Sequence, residues 1–109
     1  MLPRDIEAER TVIGACLANP KVCIPSVSVV ISPDDFFDEF NRHAYTTMLD
    51  MASQGEQIQW LAVANRMTRT IPDVSTLVPS VSTEINNLQT FVGDEGVACD
   101  AADYVLKAS

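Results

Sequence analysis

The 109 residues fit one domain, and with 47% hydrophobic but only 6% aromatic residues its interior must be filled mainly by aliphatic side chains and Met. A net charge of −8, with only seven scattered basic residues, argues against direct nucleic-acid binding, which draws its affinity from clustered Lys and Arg. No run approaches the roughly 18 apolar residues of a membrane span. The opening Met1-Leu2-Pro3-Arg4-Asp5 lacks the apolar core of a secretion signal, so no membrane association and a cytoplasmic location are expected.

Helical periodicity dominates the chain. Asp5 is placed to cap a first helix over about residues 6–19, with Ile6, Ile13, Cys16 and Leu17 on one face and Val12 at its margin. Asn19-Pro20 stops it, because a residue before proline is pushed out of the helical region. A second segment spans Val22 to Ile31, with Pro25 in its first turn. Its Ser and β-branched residues also alternate as a strand would, but no partner strand occurs elsewhere, so a helix is expected. Ser32-Pro33-Asp34-Asp35 has the order of a helix start: cap, proline, then acids in the first turn. Phe37, Phe40, Ala44, Met48 and Met51 follow at the spacing of one helix face, and Gly55 closes the helix near Gln54. The pair Phe36-Phe37 suits either that helix or a separate short turn ahead of it.

A short amphipathic helix is expected from Trp60 to about Arg69, joining Trp60, Val63, Ala64 and Met67, with Arg66 and Arg69 facing its C-terminal dipole. After the Ile71-Pro72-Asp73 loop, Val74, Leu77, Val78, Val81, Ile85 and Leu88 form another stripe. Capping at Ser75 or Thr76 would place Pro79 in that helix's first turn. Gly93-Asp94-Glu95-Gly96 reads as a turn, and Val97, Ala101, Tyr104 and Ala108 as a last helix that is cut by the end of the sequence. The sum is an all-α fold: a single globular orthogonal bundle of five to six helices over residues 1–109.

Chemistry is sparse. The four glycines, at 14, 55, 93 and 96, are isolated, so the phosphate-cradling loop of an ATPase is missing. The cysteines Cys16, Cys23 and Cys99 form no CxxC pair; free thiols are expected, and a zinc site shared with His43 lacks the usual paired spacing. His43 is the single histidine and has no partnered nucleophile, so a structural or interface role fits it better than catalysis. Asp34-Asp35 and Asp38-Glu39 read as first-turn helix charge rather than metal ligands. No catalytic, cofactor-binding or metal residue is assigned. The candidates for core or partner contact are Ile13, Leu17, Phe36, Phe37, Phe40, His43, Met48, Trp60 and Tyr104, aromatic side chains being both core fillers and binding anchors.

The order of motifs resembles the opening of DnaB-type replicative helicases. Leu2-Pro3, Ile6-Glu7-Ala8-Glu9 and Val12-Ile13-Gly14-Ala15 with Leu17 are similar to that family's Leu-Pro, "EAE" and "VLGALL". Ser32-Pro33-Asp34-Asp35-Phe36-Phe37 is similar to its "PEDF" plus an aromatic, and Arg42-His43 with Tyr45 to "HR.IF". Gly55-Glu56-Gln57-Ile58 is similar to "GEPID", Leu61-Ala62-Val63-Ala64 to "LVTVAEEL", and Ala102-Asp103-Tyr104-Val105 to "AEHYARIV". Gln57 and Gln59 stand where the family usually has Pro and a capping Asp, Arg42-His43 reverses the usual order, and residues 71–96 match poorly. These departures imply a divergent member of the kind phages and mobile elements carry.

The resemblance implies a helical head that helps build a collar of self-associated subunits, as dimers within a ring of six, and that docks the primase C-terminal domain or a helicase loader. It also implies that ATP and magnesium belong to a RecA-like domain that this chain lacks. The alternatives are a free-standing helical regulator and the helicase-binding domain of a primase. A reading frame running past Ser109 into a phosphate loop separates them from a helicase head.

Overall fold

A computed structural model describes residues 6–88, and the side chains of residues 8–88. Five helices fill this span: α1 (Ile6–Ala18), α2 (Pro20–Ser28), α3 (Glu39–Ser53), α4 (Trp60–Thr70) and α5 (Val81–Leu88), with single 3₁₀ turns at Pro33–Asp35 and Val74–Thr76. The described residues contain no strand, and the segment that could have alternated as one is α2. The all-α expectation therefore holds. The turn at 93–96, the last helix with Tyr104, the third cysteine and the Asp5 cap lie outside the described residues.

α1 packs on α2, α3 and α5, while α4 bridges α3 and α5. This central position explains a departure from the expected stripe. Val12 is as fully buried as Ile13, and Ala15, Cys16 and Leu17 are buried beside them. An amphipathic pattern describes a helix covered on one side, and the second half of α1 is covered all round. Around it lie Cys23, Ile24 and Val27 of α2, Phe40, Ala44, Met48 and Met51 of α3, Val63, Ala64 and Met67 of α4, and Val81, Ile85 and Leu88 of α5. Among the described aromatics only Phe36, Phe40 and Tyr45 are buried. Packing is therefore left to branched aliphatics and to Met, whose unbranched chain fits irregular gaps.

Three boundaries differ from expectation, and proline explains two. α2 begins at Pro20, which takes the first helical position where its missing N–H is harmless. Pro25 then falls inside the helix rather than in its first turn. It forfeits one helical bond, a cost of about 3 kcal/mol, and burial of Cys23, Ile24 and Val27 offsets it. The Val74–Leu88 stripe, expected as a helix capped at Ser75 or Thr76, is broken in two. Val78 precedes Pro79 and is excluded from helical geometry, so a 3₁₀ turn ends upstream and α5 begins only at Val81. The Ser80 hydroxyl, not Ser75 or Thr76, accepts the Thr83 N–H, at 3.3 Å. Lastly, α3 starts at Glu39, because the Asp38 side chain accepts the Asn41 N–H at 3.0 Å and caps the helix there.

At the other end of α3, Gly55 adopts φ 74°, the left-handed conformation that glycine reaches without a Cβ penalty. Among the described residues no helix is long and apolar enough to cross a membrane.

Candidate protein-interaction surface

The sequence element that shapes the surface is Ser32-Pro33-Asp34-Asp35. The Ser32 N–H donates to the Asp35 carboxylate at 2.9 Å, and the chain turns once with the Asp35 N–H on the Ser32 carbonyl at 3.0 Å. Phe36 then leaves the turn in extended conformation, at φ −81° and ψ 131°. Successive side chains of an extended segment point to opposite sides. Phe36 accordingly turns inward against Tyr45, ring centroids 4.8 Å apart and tilted, while Phe37 turns outward and is 56% exposed. Phe37 therefore does not belong to the buried face of Phe40, Ala44, Met48 and Met51, as helical spacing had suggested. The cap at Asp38 puts it ahead of the helix.

Glu9 holds this arrangement from beneath. It lies on α1, one helical turn before Ile13, and is 2% exposed. Its carboxylate accepts the Phe37 N–H at 2.7 Å, the Asp38 N–H at 3.2 Å and the Asn41 side-chain amide at 3.2 Å. A buried carboxylate is costly unless its lone pairs are used, and three donors use them here. Two of those donors are backbone N–H groups just ahead of α3, where the helix dipole also favours negative charge. Glu9 is thus a buried cross-helix clamp.

Tyr45 adds a second buried polar bond, its hydroxyl donating to the Ile31 carbonyl at 3.1 Å. Burial pushes the Tyr45 phenol well above its ordinary value, and the neighbouring Cys16 and Asp35 add to the shift.

The other sequence candidates fall into place around this junction. Ile13, Leu17, Phe36, Phe40 and Met48 are buried in the core, and Trp60 packs half-buried against it. His43 is half-buried on α3, with its Nε2 at 3.6 Å from the Glu39 carboxylate one turn earlier. The acid pairs are divided between caps and water: Asp35 and Asp38 hold turn and helix starts, while Asp34 and Glu39 are exposed. Among the described residues no three His, Cys, Asp or Glu side chains gather as metal ligands, and Cys16 and Cys23 are buried and not joined in a disulfide.

Arg66 does not face the end of α4 as expected. It reaches back to the Glu56 carboxylate and to Asp50, the latter at 3.5 Å, tying α4 to the loop after α3. That loop and the α1–α2 turn border a cleft of about 720 Å³, lined by apolar Leu17, Pro20, Ile24, Pro25 and Ile58 and edged by Lys21 and Glu56.

Glu9, Asn41 and Tyr45 escaped the sequence reading as functional residues. For Glu9 a signal existed: Ile6, Glu9, Ile13 and Cys16 recur at helical spacing, so an acid stood in an apolar stripe. Its partners, about thirty residues away, gave none.

This helical head, with its capped aromatic turn, matches one family along most of its length. Residues 1–91 match the model of the DnaB-like helicase N terminal domain, and the chain belongs to that family. It is 32% identical over 68 residues to the replicative DNA helicase DnaC of Bacillus subtilis, covering 62% of this chain. It is 33% identical over 61 residues to the replicative DNA helicase DnaB of Geobacillus stearothermophilus, covering 56% of this chain. The matched parts are 15% and 13% of those two proteins. The crystal structure of the N-terminal domain of DnaB helicase from Mycobacterium tuberculosis has the same fold. It superposes with a TM-score of 0.86 at 23% identity, over 99% of this chain and 72% of that one.

Proposed function

We propose that this chain is the collar head of a replicative DNA helicase, serving ring assembly and the docking of a second replication protein. The match of residues 1–91 to the helicase N-terminal family carries the reading. The two bacterial relatives, both named as replicative helicases, support it. In this reading ATP and magnesium are bound elsewhere in the helicase, and unwinding is not work of these 109 residues. The head instead contributes self-association, as a dimer or within a hexameric collar, and receives the primase C-terminal domain or a loader. A net charge of −8 suits meeting basic proteins and disfavours contact with DNA.

Sedimentation of the 109-residue chain tests the assembly part. A dimer or larger species that grows with concentration is expected, and a strict monomer at high concentration contradicts it. Single-stranded DNA should bind no tighter than about 10⁻⁴ M at physiological salt.

A further inference from the structure

We infer that the surface around Phe37 is a docking site for a basic protein segment, whose arginine stacks on the Phe37 ring while pairing with the carboxylates beside it. The inference rests on the assembly-and-docking reading above and names a surface and a partner chemistry for it.

Four observations converge. First, Phe37 is 56% exposed in a domain where the adjacent Phe36, and Phe40 and Tyr45 of α3, are buried. Exposed aromatics are the residue type that anchors interfaces. Second, the ring sits on a fixed backbone: Glu9 holds the N–H groups of Phe37 and Asp38, and Asp35 braces the preceding turn. An anchor ordered in advance loses less freedom on binding.

Third, three N–H groups at this junction are taken. Glu9 accepts those of Phe37 and Asp38, ahead of α3, and Asp38 accepts that of Asn41, while the Glu39 carboxylate stays exposed. Fourth, the exposed charge that flanks the ring in the chain is mainly acidic. Asp34 and Glu39 are exposed on either side of Phe37, with Asp38 between; His43 lies 3.6 Å from Glu39, and Arg10 pairs with Glu84 at 3.4 Å.

This charge selects the occupant. A second copy of the chain in a symmetric contact would bring acid against acid, and nucleic acid would be repelled. A segment rich in Lys and Arg is attracted. Arginine fits best, because its planar guanidinium stacks on an aromatic face and forks onto a carboxylate together, which an ammonium does not.

The test is selection of a random peptide library on the full chain, on Phe37→Ala, and on the double variant Asp34→Asn/Glu39→Gln. All changes are at exposed side chains, and circular dichroism and thermal melting check that each variant folds. Peptides recovered on the parent protein should carry arginine beside aliphatic residues and lose affinity as salt rises. They should bind both variants about tenfold more weakly. Enrichment of neutral or acidic peptides, no enrichment, or arginine peptides that bind Phe37→Ala as tightly as the parent would overturn the proposal. Sedimentation of Phe37→Ala separates this outcome from the broader reading. Loss of peptide binding with self-association intact supports the docking site, whereas a chain that never self-associates counts against collar assembly and leaves the peptide result to decide the surface.

Discussion

The two ends of α3 are both anchored by carboxylates, and they differ in where those carboxylates sit. At the start, Glu9 is buried and serves three donors across two helices. At the end, Asp50 and Glu56 meet Arg66 at a partly exposed surface, beside a glycine turn. Water competes for the second set and is kept from the first. Similar chemistry therefore fixes geometry at one junction and only decorates the other. The exposed aromatic stands at the fixed one.

The largest expected effect is at the buried clamp. Glu9→Ala removes the shared acceptor and strands two backbone N–H groups and the Asn41 amide. A loss of about 3–5 kcal/mol is expected, out of a total stability on the order of 5–15 kcal/mol. Urea unfolding measures it, and a loss below about 1 kcal/mol would mean that the junction relaxes and the contrast between the ends is wrong.

Alkaline titration probes the same end. Native Tyr45 keeps its proton at a pH where the unfolded chain has lost it, because its folded value is raised. Stability is thus full below the ordinary phenol value of about 10 and falls as pH rises above it. Tyr45→Phe should be less stable at neutral pH through loss of the bond to Ile31, yet lose less on going to high pH. Parallel curves for the two proteins would contradict the buried phenol.

The smallest effect is expected at the far end. Arg66→Ala should lower the melting temperature by only a few degrees, and the difference should vanish in about 1 M salt. A loss matching that of Glu9→Ala would erase the distinction.

Much of the fold was legible because short-range signals specify it. Proline at 20, glycine at 55 and the Ser32–Asp35 start marked real boundaries, and apolar spacing found the buried faces of α3 and α4. The family, too, was legible in ordered short motifs. The errors arose where periodicity cannot see a cap. Helical spacing ran on through Phe37 and through Val74 to Leu88, while Asp38 and Ser80 start their helices later. The candidate surface was half legible. Phe37 was visible as one aromatic among three, but its separation from Phe36 needed the extended backbone between them, and its support by Glu9 is a contact 28 residues apart.

Hydrogen exchange at the Phe37 amide tests most directly the claim that Glu9 fixes the surface on which Phe37 stands. This N–H lies outside any helix, and its acceptor is the Glu9 carboxylate at 2.7 Å. Strong protection is predicted, approaching that of the α3 core and lost selectively in Glu9→Gln, whose amide cannot accept at both positions. Exchange at the rate of an exposed loop in the parent protein would contradict the account.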